Sequence, residues 1–354
     1  MSAWVSADRV RLAVVGPSFF SYVQAVVAEF NRRGIPTIDF DERHSNSVLN
    51  KVIYRLGLAK LRPSAKGQHL ERILAGIRAA ACTDVLLISV EVVGKEFVET
   101  LRSEGIRVHL YLWDGVANKV GIEVLVDLID NKATFDPVDS ETLGMPYIPL
   151  FAETTFDEAR LKPSGPYQYD IGFCGTVHSS RSAVLAELLR ARWAKRLRLA
   201  LMLYYQSRTL LIIRGVADWN LWRLMSQIST TSFPKPVVAE MLGKTRFILD
   251  VPHPGQSGMT ARTFEVLLAG SRLLTFNRVA AAWLPESLQS RVKVIDRIRD
   301  ADAIDFEACE RMPALDAEER YYLSLGRFVD QLMAMMEIAP TGAQGPAKQG
   351  SEAP

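Results

Sequence analysis

Short apolar runs alternate along the chain with segments whose hydrophobic residues recur every three or four positions. RLAVVGPS (11–18) is a continuous apolar run closed by Gly-Pro, the pattern of a strand buried on both faces. FFSYVQAVVAEFNRRG (19–34) has helical spacing and stops at a glycine. A strand at 36–42, a helix at 67–82, a strand at 83–90, a helix at 94–105 and strands at 106–115 and 131–137 follow. Repeated strand–helix–strand units predict a parallel sheet with helices on both faces and right-handed crossovers.

The pattern then restarts. Residues 152–168 are polar with two prolines and read as a linker. YDIGFCGT (169–176) opens a second set of strands, continued at 246–251, 272–277 and 292–297. Helices are expected at 181–193, 260–271 and 316–337. The expected fold class is α/β, with two Rossmann-like domains, 1–151 and 169–338, facing a cleft. The terminal helix is able to cross back to the N-terminal domain. Ligands of such sheets bind beyond the carboxyl ends of the strands. The tail, 339–354, is rich in Pro, Gly and Ala and is expected to be disordered.

Composition fits this picture. The 354 residues suffice for two domains, and 48% hydrophobic with 23% charged residues supplies an ordinary core. The net charge is only +2, but residues 181–246 hold 12 Lys or Arg against three acids, a local +9. Such a surface attracts phosphates or is a solvated helical face. Cys82, Cys174 and Cys309 are widely spaced and read as small hydrophobes of a reducing compartment. No Cys/His spacing suits zinc. The start lacks the basic region of a signal peptide, and no run of 18 apolar residues exists, so a cytoplasmic protein is expected.

The most informative stretch for chemistry is HPGQSGMTARTFEVLLAGSRLLTFN (253–277). A polar loop with Gln256 and Gly258 leads into a helix with Thr260 as N-cap and Thr263 one turn in. The amides and positive end of that helix suit an anion such as a diphosphate, with Arg262 adding a fork of donors. Glu265 is placed to accept from ribose hydroxyls, or else forms an i,i+3 surface pair with Arg262. GFCGTVHSSR (172–181) offers Gly175, Thr176, His178, Ser179 and Arg181 for phosphate or sugar oxygens, His178 also being an ordinary loop residue on a blander reading.

In the N-terminal half, Ser18 ends GPS, and DERHSNS (41–47) ends the second strand. Asp41, Glu42 and Arg43 either face an acceptor or knot together by salt bridges that pin a loop. Asn46 caps a turn or touches a sugar. Asp114, after the apolar run of YLWDG (111–115), is the candidate base, shared with His178. WAKRLRLALMLYYQS (193–207) reads as a strand entered from a basic turn, or as a membrane-surface contact.

Taken in order, DERHSNS, YLWDG, IGFCGTVHSSR, the 253–277 block and VIDR (294–297) resemble bacterial capsule and lipopolysaccharide biosynthesis proteins of the glycosyltransferase family 1-like type, over roughly residues 10–335. The T-x-R-T-x-E core, Thr260 to Glu265, resembles the donor-binding helix of GT-B glycosyltransferases. The resemblance implies a GT-B fold, an N-terminal acceptor domain and a C-terminal nucleotide-sugar domain. Glu265 would grip the donor ribose, Arg262 and the amides near Gly258–Thr260 would lie by the diphosphate, and Gly175, Thr176, His178 and Arg181 would form the phosphate-side loop. No cofactor or metal is expected. The sequence departs from the pattern where many GT-B enzymes carry a glutamate eight positions before the ribose-binding one: here that residue is Ser257.

The expected activity is therefore sugar transfer from a nucleotide-activated donor to a glycan or lipid-linked acceptor in surface-polysaccharide biosynthesis, at or near the inner face of the cell membrane with a peripheral membrane contact. The alternative is a catalytically inactive binder of nucleotide or glycan that assists assembly. A nucleic-acid partner is not expected, because the basic stretch carries no recognition motif.

Overall fold

A computed structural model describes residues 4–17, 21–43, 63–119, 121–161, 165–177, 180–253 and 256–340. Among these the strands are, in chain order, β1 (Val5–Ser6), β2 (Leu12–Gly16), β3 (Thr37–Asp41), β4 (Asp84–Ile88), β5 (Arg107–Leu112), β6 (Lys132–Thr134), β7 (Tyr169–Thr176), β8 (Leu199–Tyr204), β9 (Ile228–Ser229), β10 (Thr245–Asp250), β11 (Arg272–Thr275), β12 (Val292–Val294) and β13 (Ile338–Ala339). The chain divides into two compact units. The first holds the residues up to Phe135, Asp139–Ile148 and the chain from Gly326 on; the second holds Asp136–Val138 and Pro149–Leu325.

The first unit is built on a five-stranded parallel sheet of order β3-β2-β4-β5-β6. Every residue of β2 and β4 is buried, as continuous apolar runs covered on both faces must be. Val15, Leu87 and Leu110 pack with Phe97, Val98 and Leu101 of the helix Lys95–Ser103. The chain leaves β2 toward β3 on one side and returns to β4 on the other. The strand order therefore reverses between β2 and β4, and the two crossovers diverge from their carboxyl ends. Gly16 ends β2 at that point: a Cβ there would stand 2.8 Å from the Ile88 carbonyl oxygen. β1 and β13 pair in parallel, Val5 opposite Ile338.

The second unit has a six-stranded parallel sheet of order β12-β11-β10-β7-β8-β9. Renumbered within the unit this is the 3-2-1-4-5-6 order of doubly wound sheets, with its reversal between β7 and β10. On one face of it Ile171, Phe173, Leu203, Phe247, Leu249 and Leu274 pack with Leu185 and Leu188 of the helix Ser180–Arg190 and with Leu221 and Leu224 of the helix Trp219–Leu224.

Several expected elements change at their ends. The helix expected over 260–271 is Ala261–Leu268, closed by Gly270 in the left-handed conformation that glycine adopts without a Cβ penalty (φ 76°). The single helix expected over 316–337 is two, Ala317–Leu323 and Leu325–Met335. Ser324 between them is extended (φ −85°, ψ 155°) and bridges Ala152 as a strand residue does, which a helical residue cannot. The chain beyond this break packs with the first unit, where Phe328 meets Tyr111 edge-on at 5.1 Å. Within 152–168, Thr154–Phe156 and Glu158–Leu161 are short helices with Phe156 buried, and the Glu158 carboxylate accepts from Leu315 N–H and Arg320. Helices at Glu123–Leu128, Pro137–Leu143, Arg208–Ala217, Trp219–Leu224 and Lys235–Gly243 add to those expected. Ala339, at the start of the expected disordered tail, is instead buried in β13 and paired with Ser6, while residues 341–354, like 19–20 of the first helix, lie outside the described residues. No helix among the described residues is long and apolar enough to cross a membrane.

Candidate functional site

The carboxyl ends of β7 and β10 bring together two arginines and two carboxylates of the second unit. Arg181, in the first turn of the helix Ser180–Arg190, donates from Nε to the Val251 carbonyl (2.9 Å) and from Nη1 to the Thr176 carbonyl (3.3 Å). It thus ties the two strand ends that flank the order reversal. Asp250, the last residue of β10, is 6% exposed. It accepts from Thr260 Oγ1 (3.2 Å) and Thr275 Oγ1 (3.4 Å). Burial raises the Asp250 carboxyl above its usual range, opposed by the charges of Arg181 and Arg262 and by both threonine bonds. Burial lowers the Arg181 guanidinium, with Asp250 opposing and Arg262 adding to the effect.

Arg262 and Glu265 form an ion pair at 2.5 Å, one turn apart on the helix Ala261–Leu268. It is not a surface pair: the Glu265 side chain is 2% exposed and that of Arg262 22%. Arg262 Nη2 also donates to Cys174 Sγ of β7 (3.7 Å), whose thiol is raised by burial. Thr260 stands at the N-cap position but makes no side-chain cap bond; its hydroxyl donates to Asp250. Thr263 is buried, and Gly175 and Thr176 are half-buried at the end of β7.

The loop before this helix is held by a carboxylate. Asp136 Oδ2 accepts from the backbone N–H of Ser257 and of Gly258, both at 2.9 Å, and Oδ1 accepts from Ser257 Oγ. Asp136 Oδ1 also accepts from Val138 N–H (3.0 Å), capping the helix that begins at Pro137. Asn277 donates to the Ser257 carbonyl (2.8 Å), and Gln256 N–H to the His253 carbonyl (3.1 Å). Ser257, which stands where the resemblance expects a glutamate, is therefore bound to a carboxylate from elsewhere in the chain. Asp136, Asp250 and Asn277 escaped the sequence reading. Asp136 and Asp250 had the signal that singled out Asp114, an aspartate closing an apolar strand run.

The first unit gathers Asp41, Glu42, Arg43 and Asp114 near the carboxyl ends of its strands. Glu42 is fully buried and accepts from the backbone N–H of Glu91 (2.7 and 2.9 Å), Val92 (2.8 Å) and Val93 (3.3 Å). Burial raises its carboxyl against those three bonds. Arg43 pairs with Glu91 (3.1 Å), and its N–H donates to Asp41 Oδ1 (2.9 Å). These bonds pin the loop, but not by salt bridges among Asp41, Glu42 and Arg43: Glu42 is held by backbone amides and the ion pair of Arg43 is with Glu91. Asp114 is 43% exposed and pairs with Lys119 at 3.3 Å; Lys119, 8% exposed, also reaches Glu91 (3.0 Å) and the Ser89 carbonyl (2.7 Å). Ser89, after β4, has φ 43°, a strained conformation for serine. Lys119, Glu91 and Ser89 were not expected from sequence, since their meeting depends on loops from different strands. Ser18, Asn46, His178 and Ser179 lie outside the described residues. Among the described residues no cluster of three or more His, Cys, Asp or Glu could hold a metal ion.

The chain matches no protein-family model and no curated protein. It is similar over nearly its whole length to solved structures. Anabaena HepE in complex with UDP-glucose aligns with a TM-score of 0.58 at 8% identity, over 93% of this chain and 99% of that one. The UDP-GlcNAc 2-epimerase of Neisseria meningitidis bound to UDP-GlcNAc aligns with 0.52 at 11%, over 92% and 98%. That of Methanocaldococcus jannaschii in complex with UDP-GlcNAc and UDP aligns with 0.53 at 11%, over 92% and 99%. The fold is of the GT-B type. At these identities the likeness is one of fold. A GT-B chain has two Rossmann-like units, and here each has its strand-order reversal, at β2/β4 and at β7/β10.

Proposed function

We propose that the second unit binds the diphosphate and ribose of a nucleotide sugar at the carboxyl ends of β7 and β10, and that the protein transfers the sugar to a glycan or lipid-linked acceptor in surface-polysaccharide assembly. The observation that carries this reading is the convergence of Arg181 and Arg262 on the strand-order reversal of the second sheet. Two guanidinium forks there offer donors to diphosphate oxygens, and the reversal is where open α/β sheets bind ligands. The nucleotide sugars in the structures of similar fold support the same ligand class.

In this reading the bond between the anomeric carbon and the β-phosphate oxygen breaks as the acceptor oxygen attacks. Arg181, Arg262 and the start of the helix Ala261–Leu268 neutralise the charge that builds on the departing diphosphate. Glu265 aims Arg262 through their ion pair and accepts from the ribose. The acceptor proton goes to a general base, for which Asp114 and His178 are the candidates. Neutralisation by arginines and a helix terminus leaves no step that requires a metal. An unreactive binder is the alternative. Epimerisation is a second reading, because two of the similar folds are 2-epimerases.

Thermal melting with nucleoside diphosphates tests binding. The matching nucleotide stabilises by roughly 2.7 kcal/mol at a hundredfold excess over its Kd. No shift with any uridine, guanosine, thymidine or adenosine diphosphate, or with their sugar conjugates, overturns the reading. Product analysis then separates the classes: transfer frees the nucleoside diphosphate, epimerisation yields an isomeric nucleotide sugar, and a binder yields neither.

A further inference from the structure

Among the described residues, five of the thirteen exposed large hydrophobic side chains fall within residues 212–222: Ile212, Ile213, Val216, Trp219 and Trp222. Val216 is 79% exposed, Trp219 63% and Ile213 60%, far beyond an incidental apolar atom at a surface. They belong to a helical hairpin of Arg208–Ala217 and Trp219–Leu224 in the second unit.

The inward face of the hairpin is already used. Leu211, Leu221 and Leu224 are buried in the unit's core. Gly215 is approached so closely that a Cβ would lie 2.8 Å from Cε of Met225, the residue after the second helix, and 3.4 Å from the Trp222 ring. Ile212 and Val216, and Trp219 and Trp222, are spaced by one turn and so line the outside together.

The outward charge on the hairpin itself has one sign. Arg208, Arg214 and Arg223 are exposed on the two helices, and the Arg223 guanidinium lies 5.2 Å from the Trp219 ring centre. Between Leu188 and Ala239 the sequence holds a single acid, Asp218. Its carboxylate turns inward, accepting from Asn220 N–H (3.0 Å), Leu221 N–H (3.2 Å) and Ser182 Oγ (2.7 Å). The hairpin thus presents tryptophan and isoleucine among arginines with no outward acid.

We propose that this hairpin docks the protein on an anionic phospholipid surface. Trp219, Trp222, Ile213 and Val216 enter the boundary between headgroups and acyl chains, and the arginines meet lipid phosphates. A second copy of the chain fits the patch poorly, because a self-complementary contact would set arginine against arginine. The 193–207 stretch, which reads from sequence as a strand entered from a basic turn or as a membrane contact, is a short helical turn and strand β8 inside the sheet. The proposal does not depend on the nucleotide-sugar reading.

The test is co-sedimentation of the full chain with phosphatidylcholine vesicles prepared with and without phosphatidylglycerol. Binding is expected to be at least about tenfold tighter to the anionic vesicles and to weaken steeply toward 1 M salt, where the screening length falls to about 3 Å. Ile213→Ser with Val216→Ser, and separately Arg208→Gln with Arg214→Gln and Arg223→Gln, should each lower binding about tenfold without lowering the melting temperature. Equal affinity for both vesicle types, or none, overturns the proposal. So does a concentration-dependent dimer in light scattering that Val216→Ser abolishes, which would assign the patch to a second copy. Failure here leaves nucleotide-induced melting shifts untouched, so the two proposals fail separately.

Discussion

Asp136 Oδ2 accepts the backbone N–H of Gly258 at 2.9 Å across 122 residues of sequence. With the Ser257 N–H on the same oxygen, the carboxylate fills a small anion-binding nest of the loop that leads into the helix Ala261–Leu268. Those amides are engaged within the protein, so the positive charge left for a ligand comes from the helix start and from Arg181 and Arg262. Asp136→Asn turns one accepting oxygen into a donor facing N–H groups. It is expected to cost about 2 kcal/mol in urea unfolding. An unchanged midpoint would show that the loop holds without Asp136.

Arg262 and Glu265 support a test that separates stability from chemistry. Arg262→Ala leaves the buried Glu265 charge without its partner, at a cost of about 3 kcal/mol in unfolding free energy. It should also cut turnover about a hundredfold. Replacing both residues by Met removes the orphaned charge and is expected to recover most of the stability while turnover stays low. Recovery of turnover in the double variant would reduce Arg262 to a structural role.

Asp250 predicts a pH dependence. Its folded-state pKa is raised, so the fold favours the protonated carboxyl, and its contribution is fully present below about pH 3.9. That contribution is lost as pH rises through the folded value. The stability of the wild type relative to Asp250→Asn should therefore fall with rising pH from about 4 and then level off. A difference that stays flat or grows between acid and neutral pH contradicts the burial argument.

Asp114 is the described candidate for the base. Asp114→Asn should lower turnover roughly 10²–10⁴-fold while leaving the nucleotide-induced melting shift intact. Unchanged turnover would leave Asp114 as the surface partner of Lys119 alone.

Gly16 offers a check on the first sheet. Gly16→Ala drives a methyl group to 2.8 Å from the Ile88 carbonyl, a backbone atom that cannot turn aside. A loss of about 2 kcal/mol in thermal or urea unfolding is expected. No loss would mean that β2 and β4 separate easily at their ends.

What the sequence determined by itself was local. Runs such as LAVVG and DVLLI, too apolar for one wet face, dictate strands buried on both sides, and their alternation with helical spacing dictates two parallel sheets. The block from Thr260 to Glu265 likewise announced a helix start with a cation and a carboxylate one turn apart. Tertiary structure decided what each polar group does. Whether Arg262–Glu265 lies at the surface or in the interior, and whether Glu42 meets a ligand or three loop amides, depends on chain brought in from β7 and β4. Asp136 meets Gly258 across 122 residues, a pairing that no local pattern encodes. The apolar hairpin at 212–222 shows the same limit: its composition is that of a core, and only packing shows that Leu211 and Leu221 face inward while Val216 and Trp219 do not. Hydrophobic period is written in neighbouring residues, whereas the partner of a buried charge is fixed by contacts between residues far apart in sequence.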